Sequence, residues 1–369
     1  MLTIFFILRT RDDDPGLQEA EAGFVRLLDK MTNGSKVEVS ETGTQLTYQP
    51  GVLLGGRVEH QCSNSRGVGY WLEPILALAP FCKNPLHLIL TGVTNNQVDP
   101  SPDYIKASCL PVLRKFLLDD TGLELNVTKR GAAPGGGGQV VLKCPVKKSP
   151  RPVQVLDQGK IKRIRGVAWG VRVSPSVANR VVESAKGKLL QFIPDIYIYT
   201  DHMTGKQIWT ILMFLSVTLI SGGKSGNSPG FGLVLTAETN TGTFLSAEVC
   251  SNPAGGGEGP TVPEELGVRG AQLLMEEIFR GGCADSLSQS LAVVLMGLGP
   301  PDVSKYMVGP LSPYTVQCLR HVRDFMDLTF KLETLVREDE EDRTLRMGAD
   351  KVVLTCVGVG FTNLSKRST

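Results

Sequence analysis

The sequence lacks the marks of several common protein classes. No two of its eight cysteines stand closer than twenty residues apart. There is therefore no C-x-x-C pair, which excludes the usual zinc ribbon or finger. Cysteines scattered in this way read as reduced core side chains of an intracellular protein. The four histidines, at 60, 87, 202 and 321, form no H-E-x-x-H pair, so no metal site is expected. There is no G-x-S-x-G elbow. The stretch Gly222-Gly223-Lys224-Ser225 imitates the end of a P-loop, but Thr218 occupies the place of its first glycine. A net charge of +2 excludes a uniformly basic chain and leaves room for a local basic surface. No membrane association is expected. The apolar run at residues 208–220 is shorter than the about 20 residues a spanning helix needs. The other run, residues 1–8, has neither a basic start nor a cleavage site, and reads as a buried strand.

What is plentiful is glycine, 41 residues, and proline, 22, with no collagen-like period. That excess implies many turns and a strand-rich architecture. Hydrophobic residues at 41% and charged residues at 21% fit a folded chain. At about 150 residues per domain, 369 residues suggest roughly two domains.

A weak internal repeat is visible. Asp14-Pro15-Gly16 opens a helical pattern carrying Phe24, Leu27, Leu28 and Met31, which stops at Gly34. Alternation at Val37, Val39, Leu46 and Tyr48 follows. Asp99-Pro100-Ser101, 85 residues later, opens a second pattern through Ile105, Leu110, Leu113 and Phe116. Val262-Pro263-Glu264-Glu265 begins a third, closing at Gly281-Gly282. Asp as N-cap, Pro at the first helical position and Gly after the last are helix start and stop signals. Apolar helices at residues 67–81 and 286–298 lie between the copies. Together these predict repeated α/β modules around one core. Residues 143–172 carry nine cations against one acid, Asp157. They lead into an expected inserted domain with a helix at 174–192 and strands at 195–200, 231–238 and 243–250. The five-acid run at residues 338–342 reads as a solvated loop.

Three features are candidates for chemistry. Arg130 precedes a loop with Gly135, Gly136, Gly137 and Gly138. Such a loop is either an anion nest, with Arg130 adding a charge-assisted contact, or a flexible hairpin turn. Lys160, Lys162, Arg163 and Arg165 alternate with Ile161 and Ile164. On a strand they form either a ribbon for a phosphate backbone or a solubilising edge. Arg320, His321, Arg323 and Asp324 sit on a predicted helix. They are either an acid–base constellation able to cut RNA or surface salt bridges. His60, after Glu59 on a predicted strand, reads as a core or edge residue.

Several motifs together carry a resemblance: Asp12-Asp13-Asp14-Pro15-Gly16-Leu17, Tyr48-Gln49-Pro50-Gly51, Leu90-Thr91-Gly92-Val93-Thr94-Asn95, Pro134-Gly135-Gly136-Gly137-Gly138-Gln139-Val140 and Lys160-Ile161-Lys162-Arg163-Ile164-Arg165-Gly166. They resemble the RNA 3′-terminal phosphate cyclase family. Phe192-Ile193-Pro194-Asp195-Ile196-Tyr197 and Gly309-Pro310-Leu311-Ser312-Pro313-Tyr314-Thr315 resemble its eukaryotic nucleolar branch. The resemblance implies an α/β (α+β) fold of three modules, each a four-stranded sheet with two helices, plus a smaller inserted α/β domain. The division expected is two modules in 1–157, the insert in 158–260 and the third module in 261–369. The family begins with a further strand and helix, so the first module should be truncated. Residues 206–222 are an apolar insertion that the family lacks.

True cyclases use an adenylylated histidine in the loop matching residues 311–316. Pro313 and Tyr314 stand here instead. The resemblance therefore implies no cyclase activity and no cofactor. It implies a non-catalytic ribosome-biogenesis factor of the small-subunit processome, required for early pre-ribosomal RNA cleavages in the nucleolus. The expected partners are pre-ribosomal RNA, a nucleolar GTPase and other processome proteins. The alternative is an endoribonuclease that cuts pre-ribosomal RNA directly.

Overall fold

A β-α-β-α-β-β unit recurs in this chain and organises most of it. The computed structural model describes residues 4–7, 15–203, 225–257, 259–335 and 348–366. Asp12–Asp14, the apolar run at 208–220 within the 206–222 insertion, and the acidic run at 338–342 lie outside the described residues. The chain opens on β1 (Ile4–Ile7), α1 (Glu19–Met31), β2 (Thr32–Asn33), β3 (Lys36–Val39), β4 (Gln45–Gln49) and β5 (Val52–Leu53). β1 and β3 flank β4 in a three-stranded antiparallel sheet, and β2 pairs with β5. β1 forms where a buried strand is expected, and its one described side chain, Phe6, is 36% exposed.

The second module is complete: β6 (Gly55–Gln61), α2 (Gly69–Leu78), β7 (Asn84–Gly92), α3 (Pro102–Tyr104), a π-helical turn (Ile105–Cys109), α4 (Leu110–Phe116), β8 (Glu124–Lys129) and β9 (Gly138–Cys144). The strand order is β6-β7-β9-β8, with only the first pair parallel. Period-two burial at Leu86, Leu88 and Leu90 makes β7 a central strand. α2 buries Trp71, Leu72, Ile75 and Leu76, as its nearly continuous apolar sequence requires. His60 on β6 is a core residue beside Trp71.

The third module repeats that order as β10-β15-β17-β16. β10 (Gln154–Val155) is its first strand and runs parallel to β15. The inserted elements follow β10: β11 (Ile161–Val171), α5 (Pro175–Leu189), β12 (Ile196–Met203), β13 (Gly230–Thr239), β14 (Phe244–Cys250) and α6 (Pro263–Arg280). The module then resumes with α7 (Gln289–Gly297), β15 (Val303–Val308), α8 (Pro313–Met326), β16 (Lys331–Leu335) and β17 (Lys351–Val357). By packing, the insert therefore interrupts the third module instead of preceding it. The division at 157/158 cuts β10 away from its sheet.

The division at 260/261 moves as well. α6 buries Leu266, Ala271 and Leu274 in one apolar cluster with α5 and the inner face of the sheet β12-β11-β13-β14. It closes the inserted layer, and the third module resumes after it. The three modules share a separate core, in which Phe116 of α4 stacks on Tyr306 of β15 with centroids 6.2 Å apart. All eight cysteines are free, and six are buried. Among the described residues, no helix is long and apolar enough to cross a membrane.

The Asp-Pro pairs do not start the helices. Gly16, at φ +90°, lies against the β3–β4 turn, where the Leu17 amide donates to Gly43 O at 2.9 Å. α1 is capped by Gln18, whose amide donates to Glu21 Oε2 at 2.9 Å. In the second module Ser101 is the cap, its Oγ accepting from the Tyr104 amide at 3.2 Å. Asp99 is used elsewhere.

Leu274→Ala is expected to cost roughly 2–5 kcal/mol. Because α6 belongs to the inserted layer, hydrogen exchange should rise first in β13 and β14. Earlier loss of protection in β15 and β17 would contradict this packing.

Candidate functional site

Of the four cationic positions at the start of β11, the two lysines are left without a carboxylate partner. Lys160 and Lys162 are exposed, with no ion-pair partner among the described residues. A register shift between Ile161 and Arg163 makes Lys162 the extra residue of a bulge. That shift puts Ile161 on the same inner face as Ile164, which strict alternation does not allow, and leaves Arg163 and Arg165 together on the other face. There Arg163 clasps Glu238 at 2.6 and 3.0 Å, and Arg165 clasps Asp195 at 2.8 and 3.2 Å. The hydrogen bond from Arg165 holds the Asp195 carboxyl below its ordinary range.

The glycine loop does not form the anion nest. The Gly135 amide donates to Ser228 Oγ at 2.9 Å, and the Gly136 amide to Ala132 O at 3.0 Å. Asn227 returns two bonds, its amide to Gly136 O and its side chain to Gly135 O, both at 2.9 Å. Space explains the glycines. A Cβ on Gly138 would stand 2.5 Å from Thr94, and one on Gly136 2.5 Å from Asn64. Gly137, at φ +77°, lies against Asn227. The loop stitches the second module to the residues that lead into β13 of the insert.

Arg130 is not available to a phosphate either. Its side chain is 2% exposed. Its Nε donates to Asp201 Oδ2 at 2.8 Å, and Nη1 and Nη2 donate to the two Asp103 oxygens at 2.5 and 3.0 Å. Burial alone would weaken its charge, but Asp103 and Asp201 more than compensate and raise its pKa.

The loop that matches the cyclase nucleophile opens a cleft of about 430 Å³, walled by Arg66, Tyr70, Glu73, Asp99 and Tyr314. Ser312 caps α8, its Oγ accepting from the Thr315 amide at 3.1 Å, which fixes Tyr314 at the first turn. Burial and Glu73, to which it is hydrogen-bonded, push the Tyr314 phenol well above its usual range. Burial likewise raises the Glu73 carboxyl. Arg66 packs over Tyr70, 4.5 Å from the ring centre, and forks onto Asp99. Asp99 also accepts from the Gly67 amide at 2.7 Å and from Asn96 at 3.0 Å. Burial would raise its carboxyl, and these donors bring it below the ordinary value.

The cleft runs into a second cavity of about 560 Å³. There burial pushes the Glu248 carboxyl up to about 7, while its Oε1 accepts from the Ser101 amide at 2.9 Å. No histidine lines either cavity among the described residues. The pair of cavities thus offers a neutral phenol, carboxylates and three arginines, and no imidazole among the described residues. Of the arginines, Arg66 is forked onto Asp99, Arg280 is paired with Glu276 and Glu277, and Arg269 is exposed.

The nuclease candidates lie elsewhere. Arg320, His321, Arg323 and Asp324 are exposed on the outer side of α8. The His321 ring meets the Gln317 amide at 3.0 Å, Arg320 donates to Gln317 at 3.3 Å, and Arg323 pairs with Asp324. They share a helical face but no cleft. Sequence reasoning passed over Arg66, Glu73, Asp99 and Glu248. Glu73 did carry a signal, as the one charged residue of a helix otherwise built for burial.

Arg130→Met strands two carboxylates in the seam and is expected to cost about 3–5 kcal/mol in urea unfolding. Adding Asp103→Asn and Asp201→Asn should restore part of the loss. A cost under about 1 kcal/mol, the worth of an exposed pair, would contradict the buried triad.

Comparison with known proteins agrees with this geometry. A model of the RNA 3′-terminal phosphate cyclase family matches residues 2–332. The chain is 56% identical over 359 residues to a human protein named RNA 3′-terminal phosphate cyclase-like protein, covering 97% of this chain and 90% of the relative. It is 48% identical over 362 residues to a Drosophila melanogaster protein named as a probable member of the same kind, covering 98% and 90%. It is 42% identical over 355 residues to the Schizosaccharomyces pombe rRNA processing protein rcl1, covering 96% and 89%. With its repeated modules, interrupting α/β insert and nucleophile loop rebuilt around Tyr314, this chain belongs to the RNA 3′-terminal phosphate cyclase family.

Proposed function

We propose that this chain is a non-catalytic ribosome-biogenesis factor of the small-subunit processome, acting in the nucleolus in the early cleavages of pre-ribosomal RNA. It works there with a nucleolar GTPase and other processome proteins. The observation that carries this reading is the cleft itself. Where cyclase chemistry needs an imidazole to form a phosphoramidate, Tyr314 offers a phenol held neutral beside Glu73. The name of the fission-yeast relative, an rRNA processing protein, supports the pathway.

RNA is held through charge at the start of β11. Lys160 and Lys162 are free to neutralise phosphates, whereas Arg163 and Arg165 are spent on carboxylates. The assembly reading is preferred to direct RNA cleavage because His321 faces an amide on an exposed helix and lines neither of the cavities beside Tyr314.

Incubation with labelled ATP should leave no covalent adenylate on the protein; a stable adduct would reject the non-catalytic reading. Lys160→Ala with Lys162→Ala should weaken binding to pre-ribosomal RNA and lower the slope of log affinity against log salt by about two. An unchanged slope would remove β11 from the RNA interface.

A further inference from the structure

The inserted sheet has one face to spare. Its inner face packs Ile164, Ile198, Leu233 and Leu235 against α5 and α6. On the outer face, Arg130 and Ser101 of the second module hold Asp201 and Glu248, and Asp285, just before α7, holds the Ser246 amide. Toward β12 the face opens as a mostly apolar groove of about 260 Å³, floored by β11, β12, β13 and Phe244 of β14 and walled on one side by Asp103 and Ala107 of the second module.

Two tyrosines stand on that open end. Tyr197 is 61% exposed and Tyr199 is 48% exposed. They are two residues apart on β12, so both rings point to the same side, opposite Arg165 and Val167 of β11. Neither phenol has a hydrogen-bond partner among the described residues. The Arg165 guanidinium is fixed beside Tyr197 by Asp195, and Lys162 stands nearby on β11 with its charge unpaired.

We propose that this open end is a stacking platform for unpaired bases, and that the ligand is a single-stranded stretch of RNA. The proposal rests on the reading of β11 as an RNA-facing strand and adds to it the kind of RNA held. Same-face neighbours on a strand lie about 6.6–6.8 Å apart. That is roughly twice the 3.4 Å rise of stacked bases, a spacing that suits successive bases drawn out of their own stack. Aromatic rings interleaved with cations are the pattern of single-strand binding, in which bases lie on the rings and cations follow the phosphates. A protein partner fits less well, because the cores of protein interfaces are depleted in charge and this groove is edged by Arg165, Glu238 and Asp103. A duplex fits poorly, since its bases are not free to stack outward.

The test uses the full chain and a fluorescent single-stranded RNA oligonucleotide, with the duplex of the same sequence as control. The single strand should bind more tightly than the duplex. Tyr197→Ala and Tyr199→Ala should each weaken binding roughly five- to hundredfold and leave the salt slope unchanged, because stacking releases no counterions. Tyr197→Phe with Tyr199→Phe should bind within about twofold of the parent, since the ring stacks and the hydroxyl does not. If the alanine variants fold normally and bind like the parent while Lys160→Ala with Lys162→Ala weakens binding, the platform is overturned and the basic strand survives. Equal affinity for the duplex also overturns the platform. Failure of the parent chain to bind any RNA sinks both readings together.

Discussion

A buried guanidinium sets the geometry from which the rest of this molecule follows. Arg130 leaves the end of the second module's sheet and binds Asp103 of the same module and Asp201 on the edge strand of the insert. Asp285 makes a second fixed point nearby. It is 1% exposed, and accepts from the Ser246 amide at 3.2 Å, the Ser288 amide at 2.9 Å and the Ser108 hydroxyl. The insert, the second module and the start of α7 are thus pinned by charged groups that tolerate few other arrangements. Such a seam adds little net stability over an apolar one, but separating it is costly, so it favours one relative placement.

That placement decides which surfaces remain for function. With Arg130 and the glycine loop spent on the seam, neither takes part in anion binding. The inserted sheet is closed at the Asp201 end and left open at Tyr197. The ancestral cleft keeps its walls, and its ionisable groups are satisfied by one another: Arg66 by Asp99, Tyr314 by Glu73. The cleft beside Tyr314 is lined by internally paired groups, while Lys160 and Lys162 at the start of β11 have no ion-pair partner among the described residues.

The repeat was legible because apolar periodicity and glycine stops mark each module, and the helices and strands of the insert fell close to their expected places. Three features could not be read locally. β10 is a two-residue strand whose identity depends on pairing with Lys305 and Tyr306, about 150 residues away. α6 carries an ordinary amphipathic stripe, and nothing in the stripe says which sheet it covers. The bulge at Lys162 puts Ile161 on the face of Ile164, and its only trace in sequence is a broken alternation. The site suffered most, because ion-pair partners are distant in the chain. Arg130 finds acids 27 and 71 residues away, so a residue read as a phosphate contact or part of a hairpin loop lies in the interior. That Pro313 and Tyr314 stand in the loop where the resemblance places a histidine needed only the sequence of one loop, read against the family.

The central claim is that RNA meets this protein on the inserted sheet and not in the cleft inherited from the cyclases. Ultraviolet crosslinking of the full chain to pre-ribosomal RNA, followed by mass spectrometry of the adducts, tests it most directly. The account predicts crosslinked peptides from residues 160–165 and 195–200. Adducts concentrated on the walls of the Tyr314 cleft, or on the outer face of α8, would contradict it.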